Sequence, residues 1–223
     1  MKERPILFSG QMVRAILDGR KTRTRRVVKG IPRDAEFLRF HDNGEAVFCW
    51  SHHWSHHYLT VKPPHGGIGD RLWVRETFMP VFLGPLGLCP AIHYRGDDSV
   101  KCVADEKQIP NGYTFYNVNM PKPLDKWTPS IFMPRWASRI NLEITGVRVE
   151  RLQDISAKDV ESEGLDVASK LPAFPTRGKL DHIVNRIAKD MFRELWDSLY
   201  GKIEGKRWED NPNVWVYEFK SVN

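Results

Sequence analysis

The spacing of apolar residues changes twice near the start of the chain. Residues 5–9, PILFS, form a short apolar run that predicts a β-strand. The next segment predicts a helix, because its apolar residues recur at helical spacing, at Met12, Val13, Ile16 and Leu17. Gly19 follows where glycine commonly ends a helix, and KTRTRRVV, residues 21–28, has the alternation of a second strand.

The last third of the chain has the clearest pattern. Residues 140–149 alternate as in a strand, and Gly146 interrupts the alternation, which predicts a β-bulge. Ser156, with Asp159 three residues on, predicts the start of a short helix that ends at Gly164. A long amphipathic helix follows a proline-containing link, with apolar positions at Ile183, Ile187, Met191, Leu195 and Leu199. The final segment, NVWVYEFK, predicts a closing strand.

The middle of the chain is less regular. Residues 30–66 are aromatic and rich in histidine, and they lead into the loop-forming stretch KPPHGGIGD. Residues 69–78 predict a turn and a strand with Trp73, Arg75 and Thr77 on one face. Residues 79–128 are rich in proline and glycine, so we expect an insertion with little regular structure beyond AIHYRGD.

Strands outnumber helices in this pattern, and no regular βαβ alternation occurs. We therefore predict the α+β class, as a small mixed β-barrel with flanking helices rather than a doubly wound sheet. The 223 residues fit a single domain, 1–223, with two long insertions at about 30–66 and 79–128.

Charge is concentrated near the amino terminus. The formal net charge is +6, and residues 19–33 contain no acidic residue but seven basic ones, Arg20, Lys21, Arg23, Arg25, Arg26, Lys29 and Arg33. Such a strip suits a polyanionic partner, although many basic proteins bind no nucleic acid. The three cysteines are widely spaced, and neither a signal peptide nor a membrane-spanning run is evident, so we expect a cytoplasmic protein without a membrane partner.

Several motifs together resemble the ASCH domain family of PUA-like β-barrels, which are related to RNA-binding modules. They are GRKTRTRR at 19–26, GDRLWVRET at 69–77 and MPRWASRI at 133–140, followed by the short acidic helix and the terminal strand. The nearest resemblance is to the large ASCH proteins encoded by bacteriophages and prophages. It covers residues 1–29, 66–78, 128–164 and 208–221 and leaves the insertions unexplained.

The resemblance implies two kinds of activity. Many family members are presumed RNA binders, and one small bacterial branch hydrolyses the amide of N4-acetylcytidine with a lysine, a threonine and a glutamate. Carried over to the matching positions, these catalytic residues are Lys21, Thr24 and Glu163. The resemblance implies neither a metal nor another cofactor.

The chemistry of these residue types agrees with such a role. A threonine hydroxyl needs a neighbouring base, and a lysine can serve if burial and nearby cations lower its pKa. In a regular strand, however, Lys21 and Thr24 point to opposite faces. They converge only if Lys21 still belongs to the turn after Gly19.

Substrate contacts are expected from the basic strip and from the second motif. Arg23 and Arg26 could bind phosphates, while Trp73 stacks on a base that Arg75 and Glu76 anchor. An alternative is structural: the strip is a solvated ribbon, Trp73 packs in the barrel, and Arg75 and Glu76 form an ion pair.

Residues 49–57, CWSHHWSHH, raise the question of a metal. His52 with His56, and His53 with His57, have the spacing of pairs on one helix face, near Cys49. No second ligand pair at suitable spacing accompanies them, so we predict no metal site. Glycine-rich phosphate loops are also absent from the sequence.

The sequence thus predicts an ASCH-type amidohydrolase that acts on an N4-acylated cytosine nucleoside or a related modified base. Two alternatives stay open: an RNA or single-stranded nucleic-acid-binding module without catalysis, and a ribonuclease that uses the same cleft.

Overall fold

Strands provide most of the regular structure. The computed structural model describes residues 1–52, 55–83, 89–103, 116–117, 126–171 and 180–222. The α-helices in these ranges are α1 (Gly10–Leu17), α2 (Ala157–Ser162) and α3 (Leu180–Tyr200). The strands are β1 (Glu3–Leu7), β2 (Arg23–Val27), β3 (Glu36–Phe40), β4 (Ala46–His52), β5 (Ser55–Val61), β6 (Arg71–Arg75), β7 (Phe78–Leu83), β8 (Cys89–Tyr94), β9 (Val100–Cys102), β10 (Tyr116–Asn117), β11 (Asn141–Arg151) and β12 (Asn213–Ser221).

A five-stranded mixed sheet lies at the centre, in the order β1-β6-β11-β12-β2. Strands β1 and β6 are parallel, and the other neighbours are antiparallel. Within the described strands the sheet is open, since β1 and β2 are its edges, and a side chain spans the gap: Arg26 Nη2 donates to the carbonyl oxygen of Leu7 at 3.1 Å. The α+β class is therefore confirmed, and the backbone pairing does not close the sheet into a barrel.

Apolar residues cover both faces of this sheet because β12 alternates. Trp215 and Tyr217 face a core with α1, where Val13 and Ile16 are buried. Val214 and Val216 face the opposite core with α2 and α3. No helix in the described ranges is both long enough and apolar enough to cross a membrane.

Both insertions contain sheets. Residues 30–66 hold the three-stranded sheet β3-β4-β5. The expectation of little regular structure in 79–128 is wrong for its described part, because β7, β8, β9 and β10 form a four-stranded sheet there. The prolines of this segment are compatible with strands, since Pro80 pairs with Ile92 and Pro90 with Phe82 in the antiparallel β7–β8 ladder. Residues 84–88, 104–115 and 118–125 lie outside the described ranges.

Local sequence signals fix the elements beside the central sheet. The Ser9 side chain caps α1, and the bulge expected at Gly146 is confirmed by a register shift between β11 and β12. The capping box of Ser156 and Asp159 begins α2 as predicted. Gly164 follows α2 at a φ of 94°, and a Cβ there would lie 2.7 Å from the Ala15 Cβ. Glycine is therefore required where the end of α2 touches α1.

We expect Gly164→Ala to lower the free energy of unfolding by at least about 1 kcal/mol more than Gly19→Ala does. Both substitutions impose the left-handed conformation on alanine, at about 1 kcal/mol. Only Gly164 adds a collision, because a Cβ at Gly19 meets nothing within 4 Å. Urea-induced unfolding of both variants measures the difference, and equal losses would contradict the close approach of α2 to α1.

Candidate functional site

The turn between α1 and β2 positions Lys21. Its backbone N–H donates to the Ala15 carbonyl at 2.9 Å, and β2 begins only at Arg23. The next residue, Thr22, donates its backbone N–H to Ser162 O in α2 at 2.8 Å. Lys21 therefore lies in the turn rather than in the strand. The sequence pattern allowed Lys21 and Thr24 to converge only in that case.

The ammonium group of Lys21 is enclosed. Its side chain is 0% exposed, and Nζ donates to Glu163 Oε2 at 2.7 Å, Glu163 O at 2.8 Å and Arg23 O at 2.9 Å. Burial lowers the pKa of Lys21 from its ordinary value, although the charge of Glu163 opposes this. Three oxygens match the three N–H groups of a charged amine, so in this geometry Lys21 is a cation rather than a base.

The carboxylate of Glu163 joins two buried cations. It is 4% exposed, and its second oxygen, Oε1, accepts from Arg25 Nη1 at 3.1 Å. Glu163 and Lys21, although 142 residues apart in sequence, are thus in direct contact as the resemblance implied.

Further ion pairs extend from Arg25 across β2 and α2. Arg25 Nη2 lies 2.6 Å from Glu150 Oε1, and Arg23 pairs with both Asp159 and Glu218. Burial raises the pKa of Asp159, but the Ser156 hydrogen bond and neighbouring arginines outweigh this and lower it to about 2. The cluster contains four cations and four carboxylates, namely Lys21, Arg23, Arg25, Arg148, Glu150, Asp159, Glu163 and Glu218. The charges of Arg23 and Arg25 are therefore balanced inside the protein.

Thr24 lies in β2 between two arginines of this cluster, Arg23 and Arg25. Its side chain is buried, and Oγ1 accepts from Arg26 Nη1 at 2.8 Å. Thr24 and Glu163 line one cavity of about 20 Å³, which is the volume for about one water molecule. Thr24 and Glu163 therefore both line this cavity. Lys21 contacts Glu163 but does not line the cavity itself.

Arg26 connects the small cavity to a wider groove with two lobes. The large lobe, of about 570 Å³, is lined mainly by apolar side chains, including Leu7, Phe8 and Met12. The small lobe, of about 370 Å³, lies on the other side of three residues that line both lobes, Arg26, His65 and Tyr200.

The ionisable side chains that line the groove are cations or histidine. They are Arg26, Lys29, Lys62, His65, Arg75 and Lys206, and no carboxylate is among the described lining residues. Burial, followed by the charges of Arg26, Arg4 and Lys29, lowers the pKa of His65 to about 4. The imidazole of His65 is therefore neutral at pH 7 in a positive environment.

The GDRLWVRET motif at 69–77 contributes fewer residues to the groove than expected from the sequence. Arg75 lines the large lobe, but Trp73 is 8% exposed and packs between two guanidinium groups, those of Arg75 at 4.6 Å and Arg135 at 5.9 Å from its ring centroid. Glu76 is buried and bound by Arg139 at 2.8 and 2.9 Å. Trp73 therefore offers no open face to a base, and the ion-pair partner of Glu76 is Arg139 rather than Arg75.

Arg139 has a structural role that its motif did not reveal. It also binds Asp97 and stacks on Tyr94, with 4.0 Å between its guanidinium carbon and the ring centroid. These contacts join the β7–β10 sheet to the central sheet. Arg14 adds to them by donating to the carbonyl oxygen of Gly96.

Four residues that line the groove were not predicted from the sequence to bind a ligand, although the basic strip pointed to one of them. Lys29 continues the basic strip, and His65 lies in the KPPHGGIGD loop, where its backbone N–H donates to Tyr217 Oη at 3.2 Å. Lys62 and Lys206 stand in no motif, and Lys206 reaches the lobe from the segment that follows α3.

The histidine-rich stretch is a hairpin of β4 and β5, so its residues do not have the spacing of a helix. The His57 ring stacks on Trp50, and Ser51 Oγ contacts His56 Nδ1 at 3.1 Å. His53 lies outside the described residues. Among the described residues, no group of three or more histidine, cysteine or acidic side chains could hold a metal ion.

Comparisons with protein-family models, curated proteins and solved structures find no match to this chain.

We expect Glu163→Gln to lower the free energy of unfolding by about 3 kcal/mol or more. The substitution leaves the buried cations Lys21 and Arg25 without their shared carboxylate. Glu204→Gln is the control, because Glu204 pairs with Arg33 on the surface and its loss should cost less than about 1 kcal/mol. Urea-induced unfolding gives both values.

A double-mutant cycle separates this pairing from a general effect of the substitution. Lys21→Met should cost less in the Glu163→Gln background than in the parent chain, since its partner is already lost. Additive losses would show that the two side chains do not interact.

Proposed function

We propose that this chain is a PUA-like ASCH domain that hydrolyses the acyl amide of an N4-acylated cytosine nucleoside bound in the groove. The five-stranded sheet supports the PUA-like assignment because its two edge strands lie near each other, as in a barrel. Arg26 of β2 donates a side-chain hydrogen bond to Leu7 of β1.

One observation carries the catalytic proposal: Lys21 Nζ and Glu163 Oε2 are 2.7 Å apart, and Glu163 shares its cavity with Thr24. The family resemblance selected these three residues from two separate segments, Lys21 and Thr24 from GRKTRTRR and Glu163 from the end of the short acidic helix. A structural ion pair alone does not require a buried threonine hydroxyl beside it.

The arrangement divides the chemistry among these groups. Thr24 Oγ1 attacks the acyl carbon and forms an ester, while Glu163 takes the hydroxyl proton and delivers it to N4 as the C–N bond breaks. Arg26, which already donates to Thr24 Oγ1, stabilises the oxyanion. Water then hydrolyses the ester, which releases the carboxylic acid and restores Thr24. Lys21 remains charged and orients Glu163.

We expect Thr24→Val to reduce hydrolysis of N4-acetylcytidine by at least about 10²-fold, because valine keeps the shape but lacks the hydroxyl. Thr24→Ser should retain activity. Thr22→Val is the matched control, since Thr22 belongs to the same motif but is exposed. Mass spectrometry of released cytidine measures the rate. An active Thr24→Val variant, or a parent chain that releases no cytidine, would contradict the proposal.

A second function, binding of RNA or single-stranded DNA without catalysis, is favoured by the charge of the groove. Arg26 makes its hydrogen bonds to Thr24, Arg25 and Leu7 through neutral oxygens, so its positive charge has no carboxylate partner among the described residues. Phosphate contacts use such cations. No comparable observation among the described residues favours the ribonuclease.

Binding of this kind should weaken as salt rises, with a slope of log K against log salt of about −0.7 for each phosphate contact. Arg26→Gln should reduce the magnitude of that slope. Arg20→Gln should not, since Arg20 pairs with Asp18 and does not line the groove. Fluorescence anisotropy of a labelled single-stranded RNA at several salt concentrations provides the slopes. Salt-independent affinity would exclude the phosphate contacts.

A further inference from the structure

The two lobes of the groove differ in chemistry. Leu7, Phe8 and Met12 give the large lobe an apolar wall, and Ser9 and Thr77 add hydroxyl groups. The small lobe also has apolar walls, from residues that include Val61 and Trp215, but it adds the lysines Lys29, Lys62 and Lys206 to the shared Arg26. An apolar lobe with few polar groups suits a base and sugar, whereas a lobe lined by cations suits an anion.

The charge of the small lobe is largely unbalanced. In the part of the chain that the structure describes, neither Lys29 nor Lys206 makes an ion pair. Lys62 pairs only at the surface, with Glu45 at 3.1 Å, and its side chain is 81% exposed. The cations of the internal cluster are all paired with carboxylates. The lysines of the small lobe therefore differ from those cations in having charge that is available to a ligand.

His65 lies in the same positive environment. It lines both lobes, and the charges of Arg26, Arg4 and Lys29 add to burial in lowering its pKa to about 4. A neutral imidazole can still donate a hydrogen bond to an anion without adding its own charge.

We infer that the groove takes a phosphorylated nucleoside, with the base and sugar in the large lobe and a phosphate in the small lobe against Lys29, Lys62 and Lys206. This inference rests on the proposed function, in which the groove holds a nucleoside. The phosphate belongs either to a mononucleotide or to a nucleic-acid strand.

Calorimetric titration tests the inference with four probes: cytidine, cytidine 5′-monophosphate, cytidine 3′-monophosphate and a short single-stranded oligocytidine. The phosphorylated ligands should bind the parent chain about tenfold more tightly than cytidine, because three lysines each contribute a modest contact. In a triple variant, Lys29→Ala, Lys62→Ala and Lys206→Ala, this advantage should disappear while cytidine binds as before.

The matched control removes three other exposed lysines, by Lys101→Ala, Lys158→Ala and Lys170→Ala. It changes net charge equally and should leave the phosphate advantage intact, and thermal unfolding verifies that both triple variants fold. An advantage seen only with the oligonucleotide supports the inference and identifies a strand as the source of the phosphate.

Two failures are distinguishable. If the parent chain binds cytidine and its phosphorylated forms equally, or if both triple variants lose affinity alike, the phosphate site is overturned and nucleoside binding stands. If no probe binds, the proposed function fails, and the inference fails with it.

Discussion

The shape of the candidate site depends on one carboxylate placed between two buried cations. Lys21 and Arg25 have no exposed side-chain surface, and an unpaired ion in such a place costs several kcal/mol. Glu163 offsets that cost for both, since each carboxylate oxygen accepts from a different cation. Because Glu163 follows α2 directly and the cations flank the start of β2, the pairing fixes α2 against β2. The position of Thr24 between them follows from this contact.

The alternation of a β-strand then divides the basic strip into two parts. Arg23 and Arg25 pair with carboxylates of the internal cluster, whereas Arg26 lines the groove and donates to the buried Thr24. A single run of sequence thus provides both the internal ion cluster and the charge of the groove. The net charge of the strip is therefore larger than the positive charge that is accessible to a ligand, because Arg23 and Arg25 are paired inside the protein.

The parts of the structure that could be predicted from sequence are those with local causes. The capping box at Ser156 and the bulge at Gly146 depend on neighbouring residues, and both were found. Partners distant in sequence were not: Glu76 binds Arg139, 63 residues away, and nothing beside Glu76 indicates this. The contact of Lys21 with Glu163 was expected only through the family resemblance. The lysines of the small lobe come from separate loops, which the fold brings together.

Two of the described residues, Arg26 and Tyr200, line the small cavity and both lobes of the groove, and Arg26 is the charged one. Its Nη1 donates to Thr24 Oγ1 and its Nη2 to Leu7 O, so its position is set by Thr24 and by the opposite edge of the sheet. An anion bound to this guanidinium would compete with Thr24 Oγ1 for its hydrogen bond. Because Arg26 belongs to the lining of the cavity and of the groove, the buried ion cluster is linked to the groove through two contacts: the hydrogen bond from Arg26 to Thr24, and the cavity that Thr24 shares with Glu163.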